Sequence, residues 1–289
     1  MMEMMDYGNG LNPTWCKGCG HFSVLRSLQT AAARMNIPRE MLAVVSGIGC
    51  SGRISGYMNA YSFHSVHGRS LPVAQGIKLA NPELTVVAAG GDGDGFAIGT
   101  SHTVHAIRRN INMTYIVMNN QVYGLTKGHV SPVSHQGFKT KTTPEGAVDM
   151  PVDPGLLALG SGVSFYAQGF SAQQDELIEL IKKAIEHPGF SLVQVFSPCV
   201  TYNKVNTYQW FREHLKSVED IRNTDSSDYI GAVELLKETK GLCTGVIFQN
   251  KEKKCYEELH QETKESNLVK ETPQISEELF QQLTKKFSL

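Results

Sequence analysis

The sequence has 289 residues, of which 41% are hydrophobic, and its formal net charge is −1. A chain of this composition can bury a full core, while its near-zero charge argues against nucleic acid or an anionic membrane surface as a partner. Its apolar runs are far shorter than the roughly 20 residues of a membrane-spanning helix, and its N-terminus shows no signal-peptide pattern, so we expect a cytoplasmic protein.

Short apolar strands alternate with helical segments between residues 21 and 197. In chain order, the predicted elements are a helix at 21–35, a strand at 41–46, a helix at 70–79, a strand at 85–90, a helix at 96–108, strands at 113–119 and 163–167, a helix at 173–187 and a strand at 191–197. This alternation predicts an α/β fold, in which helices cover both faces of a parallel sheet, because the strands are nearly continuous apolar runs.

Two segments have no place in this alternation. Residues 121–149 show no periodicity, and a loop of this length is usually functional. The composition shifts at residue 214 toward Lys, Glu, Gln and Ser, with one apolar patch at 245–248. We therefore predict a cofactor-binding domain over 1–213 and a C-terminal tail over 214–289 that wraps a partner or is partly helical.

Glycine, aspartate, asparagine and cysteine residues follow four of the predicted strands. They lie at 47–52, 91–95, 120–124 and 198–199, each directly after a strand. Because the functional loops of such sheets lie at the carboxyl ends of the strands, these residues predict one composite site at a single edge.

The second of these loops, Gly-Asp-Gly-Asp-Gly at 91–95, closes a strand and opens a helix. Glycines and a helix N-terminus suit a diphosphate, and a bridging magnesium ion would explain the two aspartates. Asn-Asn at 119–120 follows one helix and one strand later, and this spacing resembles the thiamine diphosphate fingerprint. The resemblance implies that Asp92, Asn120 and the backbone carbonyl of Val122 hold magnesium. The alternative is a helix-capping aspartate beside an ordinary loop.

The chain has six cysteines, and its length without an export signal favours metal or redox chemistry over disulfides. Cys16 and Cys19 form a C-x2-C hook, while Cys50 and Cys199 each follow a strand, so these four predict one site. Four thiolates hold either zinc or a 4Fe-4S cluster. The position of Cys50 beside the expected thiamine site favours the redox cluster. We interpret Cys243 and Cys255, both in the tail, as ordinary thiols.

Together these motifs resemble the β subunit of the 2-oxoacid:ferredoxin oxidoreductases, most closely the 2-oxoglutarate:ferredoxin oxidoreductase (2-oxoglutarate synthase) type. The resemblance covers about residues 12–205. It rests on WCKGCGH at 15–21, GIGCS at 47–51, HGR at 67–69, GDGDG at 91–95, NNQVYGLTKG at 119–128, KTKTT at 139–143 and SPC at 197–199.

The resemblance implies a thiamine diphosphate-binding fold and a set of cofactor contacts. The implied thiamine contacts are Ile48, Gly49, Cys50, Ser51, His67, Gly93, Asp94, Gly124 and Leu125. His64 is an alternative to His67, and the alternative role of His67 is that of a core or capping histidine. The implied cofactors are thiamine diphosphate, magnesium and one 4Fe-4S cluster, with coenzyme A as co-substrate.

The resemblance also implies a reaction and partners. The reaction is the oxidative decarboxylation of a 2-oxoacid, in which coenzyme A takes the acyl group and ferredoxin the electrons, or its carboxylating reverse. No glutamate stands at a predicted strand end, and in this family an α subunit supplies that residue, so the chain would be half of the active site of an (αβ)2 assembly.

The substrate prediction rests on Lys127, which follows the magnesium loop. A cation there would bind the distal carboxylate of 2-oxoglutarate, which pyruvate lacks. One alternative is that Lys127 is a solvated loop lysine, and another is that arginines of the α subunit bind the carboxylate. The alternative substrates are pyruvate and branched 2-oxoacids. Two other interpretations remain, a non-redox thiamine lyase subunit with structural zinc and an electron-transfer subunit whose thiamine loop is vestigial.

Overall fold

The computed structural model of the protein describes residues 2–221, 225–260, 267–270 and 275–287. Its centre is an eight-stranded sheet in the order β2-β1-β3-β4-β6-β5-β8-β7. The strands are β1 (Leu42–Ser46), β2 (Tyr61–His64), β3 (Thr85–Gly91), β4 (Met113–Asn119), β5 (Phe165–Phe170), β6 (Phe190–Phe196), β7 (Lys216–Ser217) and β8 (Cys243–Gln249).

The sheet is mostly parallel, as the alternation of strands and helices predicts. Every residue of β4 and β6 is buried, which their apolar sequences MTYIVMN and FSLVQVF allow because both faces are covered. Among the strand pairings of the described residues, only that of β8 with β5 is antiparallel. Mixed sheets often carry such a strand near one edge.

Helices cover both faces of the sheet. They are α1 (His21–Arg34), α2 (Ser70–Ala80), α3 (Thr100–Arg109), α4 (Pro154–Gly160), α5 (Gln174–Glu186), α6 (Tyr208–His214), α7 (Val218–Ile221), α8 (Tyr229–Thr239), α9 (Tyr256–Leu259) and α10 (Glu277–Phe287). Helices α1 and α5 pack on one face, and α2, α3, α4 and α8 pack on the other. None of the described helices is long and apolar enough to cross a membrane.

Several elements differ from the sequence prediction, among them helix α4, which was not predicted. Strand β2 was not predicted because all four of its residues are exposed, so YSFH carries no burial pattern. The helix predicted at 96–108 begins only at Thr100, after a π-helical turn at Asp94–Ile98. The apolar patch at 245–248 lies inside β8, so the first part of the predicted tail adds two strands to the sheet.

The loops that follow β1, β3 and β4 begin at the same edge of the sheet, because these strands are parallel neighbours. Strand β6 is parallel to β4, so Pro198 and Cys199 reach that edge as well. The topology therefore gathers the four motif loops, as predicted. The long loop after β4 contains one isolated bridge, between Tyr123 and His129, and no helix or strand before α4.

Candidate functional site

A cavity of about 120 Å³ lies at the carboxyl ends of β1, β3 and β4. We call it the thiamine pocket. All of the implied thiamine contacts line it, and so do Asp92, Asn120 and Val122. The structure places His67 in this lining, whereas His64 lies on the exposed strand β2.

Tyr123 also lines the pocket, although the sequence did not single it out as a contact. Its hydroxyl donates to the carbonyl oxygen of Gly93 at 3.2 Å. A Cβ atom on Gly93 would lie 2.1 Å from the Tyr123 ring, so only glycine fits there. Tyr123 lies in a loop without periodicity, and no pattern in the sequence indicates where its ring turns.

Asp92 is 2% exposed, and its two carboxylate oxygens have different surroundings. Oδ1 accepts a hydrogen bond from the Asn120 N–H at 3.3 Å, whereas Oδ2 is buried without a partner. Burial raises the pKa of Asp92 to about 6. The amide oxygen of Asn120 accepts from the Val122 N–H at 3.1 Å, which folds these three residues together. An unpartnered buried carboxylate oxygen beside amide and carbonyl oxygens fits the preferences of magnesium.

Asp94, two residues later in the same motif, has a different role. Its Oδ1 accepts hydrogen bonds from the backbone N–H groups of Ile48 and Gly68 at 3.0 and 2.8 Å, and it lies 2.6 Å from Nδ1 of His67. A Cβ atom on Gly47 would lie 1.9 Å from Asp94 Oδ2. The side chain thus ties the loop after β1 to the segment that carries His67, and it also lines the pocket, with its Oδ2 buried without a partner.

We expect the Asp94→Ala variant to lose stability even without cofactor. It leaves two backbone N–H groups without their acceptor, and each unsatisfied buried donor costs about 1–3 kcal/mol. The measurement is urea unfolding of the cofactor-free protein, with a predicted loss of roughly 2–6 kcal/mol in the free energy of unfolding. An unchanged unfolding midpoint would contradict the anchoring role.

The four predicted cluster cysteines line a second cavity, of about 220 Å³, which we call the cysteine cavity. Cys16 is exposed, whereas Cys19, Cys50 and Cys199 are half-buried. Burial, together with the negative charge that the other three thiols would carry, raises the pKa of Cys19 to about 12. The Cys19 thiol is therefore neutral unless iron or another metal binds it.

The thiols surround a space and do not converge on one point. Among the described residues, no three His, Cys, Asp or Glu side chains are arranged to hold a single metal ion. A Cβ atom on Gly124 would lie 3.6 Å from the Cys50 sulfur and 3.7 Å from the Cys199 sulfur, so the missing side chain keeps the space between them open.

His21 is a member of the cysteine cavity that the sequence did not single out. Its Nδ1 lies 2.7 Å from the Ser197 hydroxyl, and its ring packs edge-on against Trp15. Cys243 and Cys255 lie elsewhere. Both are buried, and burial raises the pKa of each to about 11.

Lys127 lines the cysteine cavity and is absent from the lining of the thiamine pocket. Its backbone φ of 71° lies in the left-handed region, just before Gly128. Its contact with a substrate carboxylate therefore stays a prediction.

Two family profiles match the chain. The profile described as "Thiamine pyrophosphate enzyme, C-terminal TPP binding domain" matches residues 47–195. A second profile, which describes the C-terminal part of the pyruvate ferredoxin oxidoreductase β chain, matches residues 199–265. This second match extends the similarity beyond residue 205 into the tail.

The chain is similar to several curated proteins. It is 40% identical over 254 residues to the "2-oxoacid:ferredoxin oxidoreductase 1, subunit beta" of Aeropyrum pernix. The aligned region covers 84% of this chain and 80% of the relative. It is 46% identical over 227 residues to the "2-oxoglutarate synthase subunit KorB" of Archaeoglobus fulgidus, which covers 78% of this chain and 83% of the relative.

Among solved structures, the chain resembles the 2-oxoglutarate:ferredoxin oxidoreductase from Magnetococcus marinus with 2-oxoglutarate, coenzyme A and succinyl-CoA bound. The TM-score is 0.89 at 37% sequence identity, and the match covers 98% of this chain and 96% of that chain.

Proposed function

Because the chain belongs to the β subunits of the 2-oxoacid:ferredoxin oxidoreductases, we propose that it performs the coenzyme A-dependent oxidative decarboxylation of 2-oxoglutarate together with an α subunit. Electrons pass through one 4Fe-4S cluster, bound by Cys16, Cys19, Cys50 and Cys199, to ferredoxin. The same assembly also runs in reverse as a carboxylating synthase.

The observation that carries this proposal is the wall shared by the thiamine pocket and the cysteine cavity. Cys50, Asn120, Gly124 and Leu125 line both. When bound, thiamine diphosphate supplies the stabilisation of the carbanion left after decarboxylation, and the iron–sulfur cluster accepts electrons. An oxidative reaction needs a redox site directly beside the thiamine pocket to accept its electrons. A non-redox lyase has no electrons to transfer and does not need one.

The contacts of the chain's own residues support these roles. Asp92, Asn120 and Val122 would hold the magnesium ion that the diphosphate needs, and Asp94 fixes the Ile48 and His67 segments at the cofactor site. Tyr123 fixes the turn at Gly93 through its hydrogen bond to the Gly93 carbonyl oxygen. The four thiolates of the cysteine cavity would hold the iron–sulfur cluster, which would accept electrons.

Apolar exposure around the thiamine pocket supports an α-subunit partner. Tyr61 and Phe63 on the edge strand β2 are 63% and 51% exposed, and Val66, Ile98 and Leu125 are exposed as well. No glutamate is among the residues that line the pocket in the described part of the chain. An α subunit that packs over these side chains would bury them and bring the missing glutamate, in an (αβ)2 assembly.

The test is an anaerobic preparation of this chain co-expressed with its α subunit. We expect iron and sulfide at about four each per β subunit, as a single 4Fe-4S cluster requires, together with bound thiamine diphosphate and coenzyme A-dependent reduction of ferredoxin by 2-oxoglutarate. Zinc in place of iron would favour the lyase, and iron without thiamine would favour a pure electron-transfer subunit.

The Lys127→Ala variant tests the substrate assignment. A charge-assisted hydrogen bond to the distal carboxylate contributes about 1.5–3 kcal/mol, so kcat/KM for 2-oxoglutarate should fall roughly 10- to 150-fold. The values for pyruvate and 2-oxobutyrate should change far less. Equal losses on all three acids would mean that Lys127 supports the cofactor loops. A wild-type preference for pyruvate would remove the substrate assignment and leave the reaction class intact.

A further inference from the structure

The loops around the cysteine cavity are cationic, although the whole chain is close to neutral. The segments 12–20, 48–55, 122–130 and 198–212 contain five Lys or Arg residues and no Asp or Glu, in a chain with 27 basic and 28 acidic residues. We call this set the basic rim. Its members are Lys17, Arg53, Lys127, Lys204 and Arg212.

Contacts within these loops place the basic rim around the mouth of the cavity. Arg53 and Lys127 line the cavity directly. The Lys204 ammonium donates to the carbonyl oxygen of Val200, which is also a lining residue.

Lys17 and Arg212 complete the rim beside the C-x2-C hook. Lys17 stands between Cys16 and Cys19, and it is exposed. The Tyr208 hydroxyl donates to the carbonyl oxygen of Gly18, and the Arg212 guanidinium lies 6.0 Å from the Tyr208 ring centroid. Both cations therefore border the C-x2-C hook.

The mouth of the cysteine cavity is open to solvent at the C-x2-C hook. Cys16, Lys17 and Gly18 are exposed, while the other three cysteines lie deeper. Within the described ranges, none of the five rim side chains forms an ion pair with an Asp or Glu of this chain. The charge of Lys17, Arg53, Lys204 and Arg212 is therefore available to a partner protein, while that of Lys127 is shared with its proposed role toward the substrate.

We propose that the basic rim is the docking surface for an acidic face of ferredoxin, an inference that rests on the proposed function. Electron transfer requires the partner's redox centre to approach the cysteine cavity, and the exposed Cys16–Gly18 segment is where the chain allows that approach. A one-sign patch attracts a partner of opposite sign and raises the rate of encounter.

The test uses the assembled enzyme with two double charge reversals. Lys204→Glu with Arg212→Glu changes the rim without touching a residue that lines the thiamine pocket. The matched control is Lys216→Glu with Lys251→Glu, two exposed lysines in and after the strands at the β8-β7 end of the sheet. Each enzyme is assayed with 2-oxoglutarate and coenzyme A, using a purified acidic ferredoxin or methyl viologen as acceptor.

We expect the rim double variant to lose about tenfold or more in kcat/KM for ferredoxin at low ionic strength, because electrostatic steering raises association rates by about 10- to 1,000-fold. Added NaCl should narrow its difference from the wild type. Its reduction of methyl viologen should not fall, and the control variant should match the wild type with both acceptors.

Equal ferredoxin kinetics in the two double variants would overturn the docking surface alone. Loss of the α subunit from the rim variant would overturn it too, since the rim would then be a subunit interface. A wild-type assembly that reduces neither acceptor would overturn the proposed function and the docking surface together.

Discussion

The Asp92→Ala variant is expected to lose thiamine diphosphate and magnesium while it keeps its iron. Asp92 offers the only carboxylate among the three expected magnesium ligands, and its free oxygen is buried. Loss of residues that merely support a metal ligand already reduces activity or metal affinity by about 10- to 100-fold. We therefore expect turnover to fall by at least about a hundredfold.

The same substitution should cost the cofactor-free protein less stability than Asp94→Ala does. It removes a buried oxygen that has no hydrogen-bond partner, and it leaves only the Asn120 N–H without its acceptor, whereas Asp94→Ala leaves two backbone N–H groups without theirs. This difference separates the role of Asp92 from that of Asp94. The measurements are thiamine and iron content after gel filtration, and urea unfolding without cofactor.

Asp149→Ala is the matched control, because Asp149 is an exposed aspartate in the loop that follows the magnesium residues. It should retain thiamine, iron and turnover. If Asp92→Ala keeps both cofactor and turnover, the magnesium assignment is wrong.

Replacing Cys16, Cys19, Cys50 or Cys199 by serine should bleach the protein and stop electron delivery to ferredoxin. Iron–sulfur clusters are held by soft thiolate ligands, which serine does not replace. Each variant should lose at least about a hundredfold in ferredoxin reduction, beyond the range seen for residues that only support a ligand. Iron, acid-labile sulfide and visible absorbance of anaerobic protein provide the measurement.

Cys243→Ser and Cys255→Ser serve as controls, since both thiols lie outside the cysteine cavity. They should retain the colour and ferredoxin reduction. An unbleached Cys199→Ser variant would show that the fourth ligand lies elsewhere. Cys50→Ser should also weaken thiamine binding, because Cys50 lines both cavities, whereas Cys16→Ser should leave thiamine content unchanged.

The sequence by itself determined the fold class and which loops meet at one edge of the sheet. Buried strands such as β4 and β6 can be predicted because coverage of both faces requires uninterrupted apolar residues. Asp92 follows β3 and Asn120 follows β4, and parallel strands bring their carboxyl ends to one edge. Local pattern and topology agree there, so the meeting of these loops follows from the chain alone.

Only the tertiary structure showed which contacts each of these residues makes. Asp92 and Asp94 are equivalent in the sequence, and each has one carboxylate oxygen that is buried without a partner, but only Asp94 accepts hydrogen bonds from loops that lie 26 and 46 positions away. Strand β2 lacked any signal because both of its faces are exposed. The basic rim combines residues from four loops that are distant in the sequence. Lys127 lines the cysteine cavity, although its sequence neighbours line the thiamine pocket. Contacts between distant segments depend on how loops pack, and the periodicity of hydrophobic residues does not predict that packing.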